Sequence, residues 1–72
     1  MQEASATEAA LDSVKKLMQA GDFGKAENLL LQMLAESPNH GDILYLLAAC
    51  QRYQKRYTEA LESLRRLRLS VP

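Results

Sequence analysis

Apolar side chains recur every three or four residues along most of the chain, which is the spacing that lines one face of an α-helix. In the first half the pattern runs through Ala10, Leu11, Val14, Leu17, Met18, Phe23, Ala26, Leu29, Leu30, Met33 and Leu34. In the second half it runs through Ile43, Leu44, Leu47, Ala48, Cys50, Leu61, Leu64 and Leu67. The pattern predicts amphipathic helices, and strand signals are weak.

Four helical segments are predicted where this pattern is continuous. They span residues 6–20, 23–37, 41–54 and 58–69. The residues that favour helix most strongly, such as alanine, leucine and glutamate, dominate the composition. The connections are short, so consecutive helices are expected to pack antiparallel.

Residues with helix-capping chemistry stand near each predicted helix start. The candidate N-caps are Ser5, Asp22, Asn39 or Asp42, and Thr58. Glu8 completes a capping box with Ser5. Gly21 is expected to end the first helix, because glycine adopts the left-handed conformation that closes many helices. Pro38 stands just past the end of the second helix.

The chain repeats itself at an interval of 34 residues. The repeated pairs are Phe23 and Tyr57, Ala26 and Ala60, Leu30 and Leu64, and Pro38 and Pro72. The small alanine lets the two helices of a unit approach closely, and the aromatic residue fills the turn between them. Because one helix pair cannot cover its own apolar face, a fixed helical period indicates a stacked array.

This pattern resembles the tetratricopeptide repeat family over nearly the whole chain. The first copy rests on Leu17, Gly21, Asp22, Phe23, Ala26, Leu30 and Pro38. The second rests on Leu44, Leu47, Ala48, Tyr57, Ala60, Leu64 and Pro72. The resemblance implies an all-α fold, with two helix–turn–helix repeats stacked as a short right-handed α-solenoid. We expect a single domain over 1–72, with repeats at about 7–38 plus the turn and at about 41–72.

The sequence departs from the family pattern at five residues. Ala10 and Ser13 stand where the family has larger apolar residues, and Gln51 stands where an aromatic residue or leucine is common. Lys55 and Arg56 replace the usual Gly-Asp turn. We therefore expect an irregular second turn.

The resemblance implies a protein–protein interaction module. In a helical array the first helices of successive units line a concave groove. The 34-residue alignment predicts that this partner-binding face carries Glu8, Leu11, Lys15, Met18, Gln19, Asp42, Tyr45, Ala49, Arg52 and Tyr53. Tyrosine and arginine are enriched at binding hot spots. A bound peptide or partner helix and an ordinary solvated surface are both compatible with this pattern.

Composition narrows the classes of partner. Lys plus Arg and Asp plus Glu are nine each, so the formal net charge is zero. Nucleic-acid binders and polybasic membrane anchors need a positive surface, so the zero net charge argues against both classes. No apolar run is long enough to span a bilayer. Residues 1–8 carry no Lys or Arg, so we expect no signal peptide. The single cysteine, Cys50, allows no intramolecular disulfide, which is compatible with a reducing compartment, and we expect a cytoplasmic protein.

No motif for catalysis, phosphate binding or metal binding is present, so we expect neither enzymatic activity nor a cofactor. His40 is the only histidine and is expected to be an exposed residue of the turn between the units. Cys50 is expected to be a buried structural thiol. Arg65, Arg66 and Arg68 are expected to favour the helix dipole rather than to bind an anion.

Two repeats are fewer than the ~3 needed for a comfortably stable array. Leu67, Leu69 and Val71 would leave apolar surface open to water. We therefore expect either further repeats or self-association, as a homodimer, through the C-terminal helix.

Two rival functions are also compatible with the sequence. The stretch 45–53, followed by 56–61, resembles repeats found N-terminal to a bacterial sulfotransferase domain, which would make the chain a non-catalytic oligomerisation or regulatory fragment of an enzyme. A small chaperone-like accessory factor that shields an amphipathic helix is the other alternative.

Overall fold

The computed structural model describes the backbone of residues 2–70 and the side chains of residues 7–69. Four helices follow one another: α1 (Gln2–Gln19), α2 (Phe23–Glu36), α3 (Gly41–Tyr53) and α4 (Tyr57–Ser70). No strand occurs between residues 2 and 70. The predicted all-α fold is confirmed, and seven of the eight predicted helix ends lie within one residue of those observed.

Two predicted N-caps are wrong. Ser5 lies inside α1, because the helix begins at Gln2 and nothing in the preceding sequence breaks it. Thr58 lies in the first turn of α4, which begins at Tyr57. The carbonyl oxygen of Arg56 accepts the first hydrogen bond of α4, so Arg56 occupies the cap position instead.

The other two caps act through the backbone. Asp22 occupies the cap position of α2 as predicted, but its carboxylate makes no capping hydrogen bond and instead lies 3.7 Å from the Lys25 ammonium. His40, rather than Asn39 or Asp42, occupies the cap position of α3. Asp42 falls in the first turn, where a negative charge is favourable.

The turn after α1 is closed by a left-handed residue. Gly21 has φ of 81°. Its amide donates to the carbonyl oxygen of Met18 at 3.0 Å, and the amide of Asp22 donates to that of Leu17 at 2.8 Å. These two bonds satisfy carbonyl groups that would otherwise be left unpaired at the helix end.

The turn after α3 has the same geometry despite its different sequence. Lys55 has φ of 64°. Its amide donates to Arg52 at 2.9 Å, and the amide of Arg56 donates to Gln51 at 2.8 Å. Each donor and acceptor lies 34 residues after its counterpart in the first turn. The expected irregularity is therefore wrong, because the lysine adopts the conformation that glycine adopts more readily.

The hydrophobic core is built by the first three helices. Its fully or largely buried members are Val14, Ala26, Leu30, Leu34, Ile43, Leu44, Leu47 and Cys50. α2 contacts both α1 and α3, whereas α4 packs chiefly against α3. Only Ala60 and Ser63 are classed as buried among the described side chains of α4. One face of α4 is consequently open.

Packing is also incomplete beside the N-terminal half of α1. A cavity of about 220 Å³, open to solvent, is lined by Thr7, Ala10, Leu29, Gln32, Met33, Glu36, Ser37 and Ile43. The side chain of Ala10 is too small to fill this cavity. The equivalent residue of the second repeat is the larger Leu44, which is fully buried.

Candidate functional site

A shallow groove runs between α3 and α4. It has a volume of about 90 Å³ and is lined by Tyr45, Ala48, Ala49, Arg52, Ala60 and Leu64. The three alanines form a narrow floor, while Tyr45 is 60% exposed at the edge. The structure thus brings together three of the predicted partner-binding residues, namely Tyr45, Ala49 and Arg52.

Tyr53 is held at the end of α3 by an aromatic stack. Its ring lies 4.8 Å from that of Phe23 between centroids, with an interplanar angle of 12°. The Arg52 guanidinium carbon lies 5.8 Å from the Tyr53 ring centroid. One ring face of Tyr53 therefore packs against Phe23, and the side chain still exposes more than half of its surface.

The predicted residues of α1 are arranged differently. Leu11 and Met18 are half-buried and pack against the core, while Lys15 is exposed. Glu8, Gln19 and Asp42 of the wider predicted face are exposed too. No α1 residue lines the groove between α3 and α4. The structure consequently does not join the two halves of the predicted face in one cavity.

A polar network links the two repeats, and the sequence analysis missed it. The buried Glu27 of α2 accepts hydrogen bonds from the Gln54 amide at 2.8 Å and from Arg56 Nη1 at 2.6 Å. Arg56 also pairs with Glu59 at the start of α4. The hydrogen bond with Glu59 raises the pKa of Arg56, and Glu27 adds to the effect.

The predicted self-association residues divide into different environments. Leu67 is half-buried against the core, and a Cβ added to Gly41 would lie 3.3 Å from its Cδ1 atom. Its assignment to an open surface is wrong, because it faces the start of α3. Leu69 is 79% exposed. Val71 lies outside the described residues.

The sequence profile of the tetratricopeptide repeat matches residues 17–72, which is more than half of the chain. The chain belongs to the tetratricopeptide repeat family. No curated protein and no solved structure matches the chain significantly. Tetratricopeptide repeats generally mediate protein–protein interaction and are typically non-catalytic. The matched segment contains both turns and helices α2–α4, but only the C-terminal end of α1.

One departure from the tetratricopeptide pattern is compensated by a second polar residue. Gln51 is buried, and its side-chain oxygen accepts a hydrogen bond of 2.8 Å from the buried Ser63 hydroxyl. Because a buried polar group is costly only when it lacks a partner, the pair replaces an apolar contact between α3 and α4.

Two further side chains of this tetratricopeptide protein were considered for chemistry from the sequence, namely Cys50 and His40. The Cys50 thiol is buried, and this burial, together with the charge of Glu27, raises its pKa to about 11. The reactive thiolate is therefore scarce at neutral pH. His40 was expected to be exposed, but it is half-buried, and its Nδ1 atom is enclosed with no hydrogen-bond partner among the described atoms.

Within the described chain, no three His, Cys, Asp or Glu side chains are grouped so that they could hold a metal ion. None of the four helices, over the residues described, is long and apolar enough to cross a membrane.

Proposed function

We propose that this chain is a non-catalytic interaction module that binds a peptide or partner helix on its concave face. The proposed contact residues are Leu11, Lys15, Met18, Tyr45, Ala49, Arg52 and Tyr53. The observation that carries the proposal is the exposure of Tyr45 and Arg52, which lie on the same side of α3 along a groove that also contains three alanines. A large aromatic ring and a guanidinium next to a groove are the contacts that most often dominate binding energy.

The alanine floor supports this assignment. Ala48 and Ala49 belong to α3, Ala60 belongs to α4, and their short side chains let another backbone approach closely. Leu64 adds apolar surface at the far wall. The balanced charge of the chain favours a protein over a nucleic acid as the partner. A cytoplasmic location is part of the same proposal.

The test is a peptide-display selection on the wild-type chain, followed by affinity measurements on the selected peptides. Tyr45→Ala and Arg52→Ala are each expected to weaken binding by about 10-fold or more, as hot-spot truncations do. Tyr57→Ala is the matched control, because Tyr57 has nearly the same exposure but does not line the groove. Equal affinities for all three variants would reject the concave face as the binding site.

The roles as an enzyme fragment and as a chaperone-like factor stay predictions, and no contact described above favours either. Self-association through α4 also stays a prediction, now resting on Leu69 rather than on Leu67.

A further inference from the structure

Arg52 is the only charged residue that lines the groove between α3 and α4. Its side chain is exposed. Three ion pairs join side chains within the described part of the chain, and Arg52 takes part in none of them. The groove therefore carries one positive charge that no carboxylate of the described residues neutralises by direct contact.

The local sequence explains why this charge is left without an acidic partner. Side chains three and four residues apart meet on the surface of a helix, and both residues at these spacings before Arg52 are alanines. The next charges along the chain, Lys55 and Arg56, are positive as well. Asp42, at the other end of α3, is ten residues away, which is about 15 Å along the helix. Helix α3 thus supplies Arg52 with no carboxylate.

The Arg52 guanidinium is positioned by an aromatic ring. Its central carbon lies 5.8 Å from the centroid of the Tyr53 ring, which is within the range at which a cation and a ring attract each other. The Tyr53 ring is itself fixed, because it stacks on the ring of Phe23 in α2. Contact with a ring uses the face of a guanidinium and leaves the N–H groups at its edge able to donate. Arg52 is thus a positioned donor, which reduces the entropy lost on binding.

We propose that Arg52 binds the carboxylate of an Asp or Glu side chain in the partner peptide, so that the groove selects acidic peptides. This inference rests on the interaction module proposed above and names the chemistry of its partner. A carboxylate matches two parallel N–H groups of a guanidinium, which makes the pair specific as well as favourable. The rest of the groove, with Tyr45 at its edge and Leu64 at its far wall, suits an apolar side chain beside the acid. A nucleic acid fits less well, because one cation among apolar residues does not follow a phosphate backbone.

The experiment starts from the peptides that the display selection returns, and it compares each acidic residue with its amide. Among peptides that Tyr45→Ala weakens, replacing the decisive Asp or Glu by Asn or Gln is expected to weaken binding about 10-fold at low salt. The loss should shrink at high salt, because Arg52 is exposed. Peptides without an acidic residue, or amide versions that bind equally well, would overturn the proposal and leave the binding face itself intact.

A double-mutant cycle assigns the carboxylate to Arg52. Arg52→Gln should weaken the acidic peptide about 10-fold and change the amide peptide by no more than about twofold. Arg68→Gln is the matched control, because it removes the same group from an exposed position outside the groove, and affinity should stay within about twofold. If Arg52→Gln weakens the acidic and amide peptides equally, Arg52 does not bind the carboxylate and the proposal fails.

The role of the aromatic ring is tested by the ratio of the two affinities. Tyr53→Leu removes the ring beside the guanidinium and should lower the preference for the acidic peptide by about threefold. Tyr53→Phe keeps the ring and should keep the preference. Circular dichroism checks that both variants retain the helical content of the wild type. An unchanged preference in a folded Tyr53→Leu would contradict the positioning of Arg52 by this ring.

Two further outcomes separate the alternatives. If amidation of the peptide C-terminus abolishes the preference while the Asp or Glu substitution does not, Arg52 binds a terminal carboxylate, which contradicts the proposal. A selection that returns no peptide, or only peptides that bind Tyr45→Ala as tightly as the wild type, rejects the concave face and this inference with it. Failure of the binding face and failure of the acidic contact are thus detected by different measurements.

Discussion

Helices α2 and α4 occupy equivalent places in their repeats, yet their surroundings differ. α2 is packed between α1 and α3, and it places Ala26, Leu30 and Leu34 in the core. α4 packs chiefly on α3, and Leu61 and Leu64 remain open to solvent. The repeat pattern thus fixes where a helix begins and which side faces inward. Its burial depends on whether other helices pack on one side of it or on two.

The largest expected effect comes from truncating the same leucine in both repeats. Leu30→Ala removes a wholly buried side chain between three helices and is expected to cost about 3 kcal/mol of the free energy of unfolding. Leu64→Ala should cost about 1 kcal/mol, because part of that side chain already contacts water. Urea titrations followed by circular dichroism measure both. Equal losses would mean that α4 is covered in solution as α2 is.

Helices α1 and α3 also occupy equivalent places in their repeats. The pH dependence of stability can test how their surroundings differ. Cys50 is buried on α3, whereas its counterpart on α1 is the exposed Lys16. Because the folded state raises the thiol pKa from 9.0 to about 11, the unfolded chain loses its proton first as pH rises. The contribution of the protonated Cys50 thiol to the free energy of unfolding is complete below about pH 9, and it is lost progressively between about pH 9 and 11.

We therefore expect the wild type to lose about 2 kcal/mol more than Cys50→Ala between about pH 8 and pH 10.5, since each pKa unit is worth 1.36 kcal/mol. The difference between the two proteins removes the titration of lysine and tyrosine, which they share. Parallel pH profiles would show that folding does not raise the pKa of the thiol. At about pH 8, the thiol of the folded wild type should also react slowly with a disulfide reagent.

The turns after α1 and α3 provide the third comparison, with expected changes of about 1 kcal/mol in the free energy of unfolding. Lys55 has a left-handed backbone that glycine adopts without penalty, so Lys55→Gly is expected to raise the free energy of unfolding by about 1 kcal/mol. Gly21→Lys should lower it by a similar amount. A Cβ on Gly21 meets no atom within 4 Å, so the loss would come from the backbone alone. Opposite signs at the two sites are the decisive result of the denaturant titrations.

The pattern of apolar residues predicted the local structure well. The helices, the Gly21 turn and the repeat interval follow from propensity and spacing, which act over a few residues. The burial of Glu27 could not be predicted in this way, because its partners Gln54 and Arg56 come from the next repeat. Leu67 was misplaced for a related reason: every third or fourth leucine of α4 looks alike in sequence, and only packing shows that this one faces Gly41.

The candidate site was predicted only in part. Tyr45, Ala49 and Arg52 do share one groove, because they lie on the same side of one helix. Leu11 and Met18 lie at equivalent positions on α1, but they pack against the core. The alignment treats equivalent positions as equally accessible, and that assumption fails where one repeat stacks on another. Leu61 was placed in the apolar pattern by helical spacing alone, but it is 67% exposed.

The smallest effect concerns the cavity beside α1, where Ala10 replaces the leucine that fills the equivalent position of α3. Ala10→Leu places apolar atoms into a space of about 220 Å³ and is expected to raise the free energy of unfolding by about 0.5 kcal/mol. Ala9→Leu is the matched control, because the exposed Ala9 undergoes the same change in helix propensity without entering the cavity. A gain restricted to Ala10→Leu would show that the first repeat is less stable through incomplete packing. Equal gains would show that the effect belongs to helix α1 as a whole and not to the cavity beside Ala10.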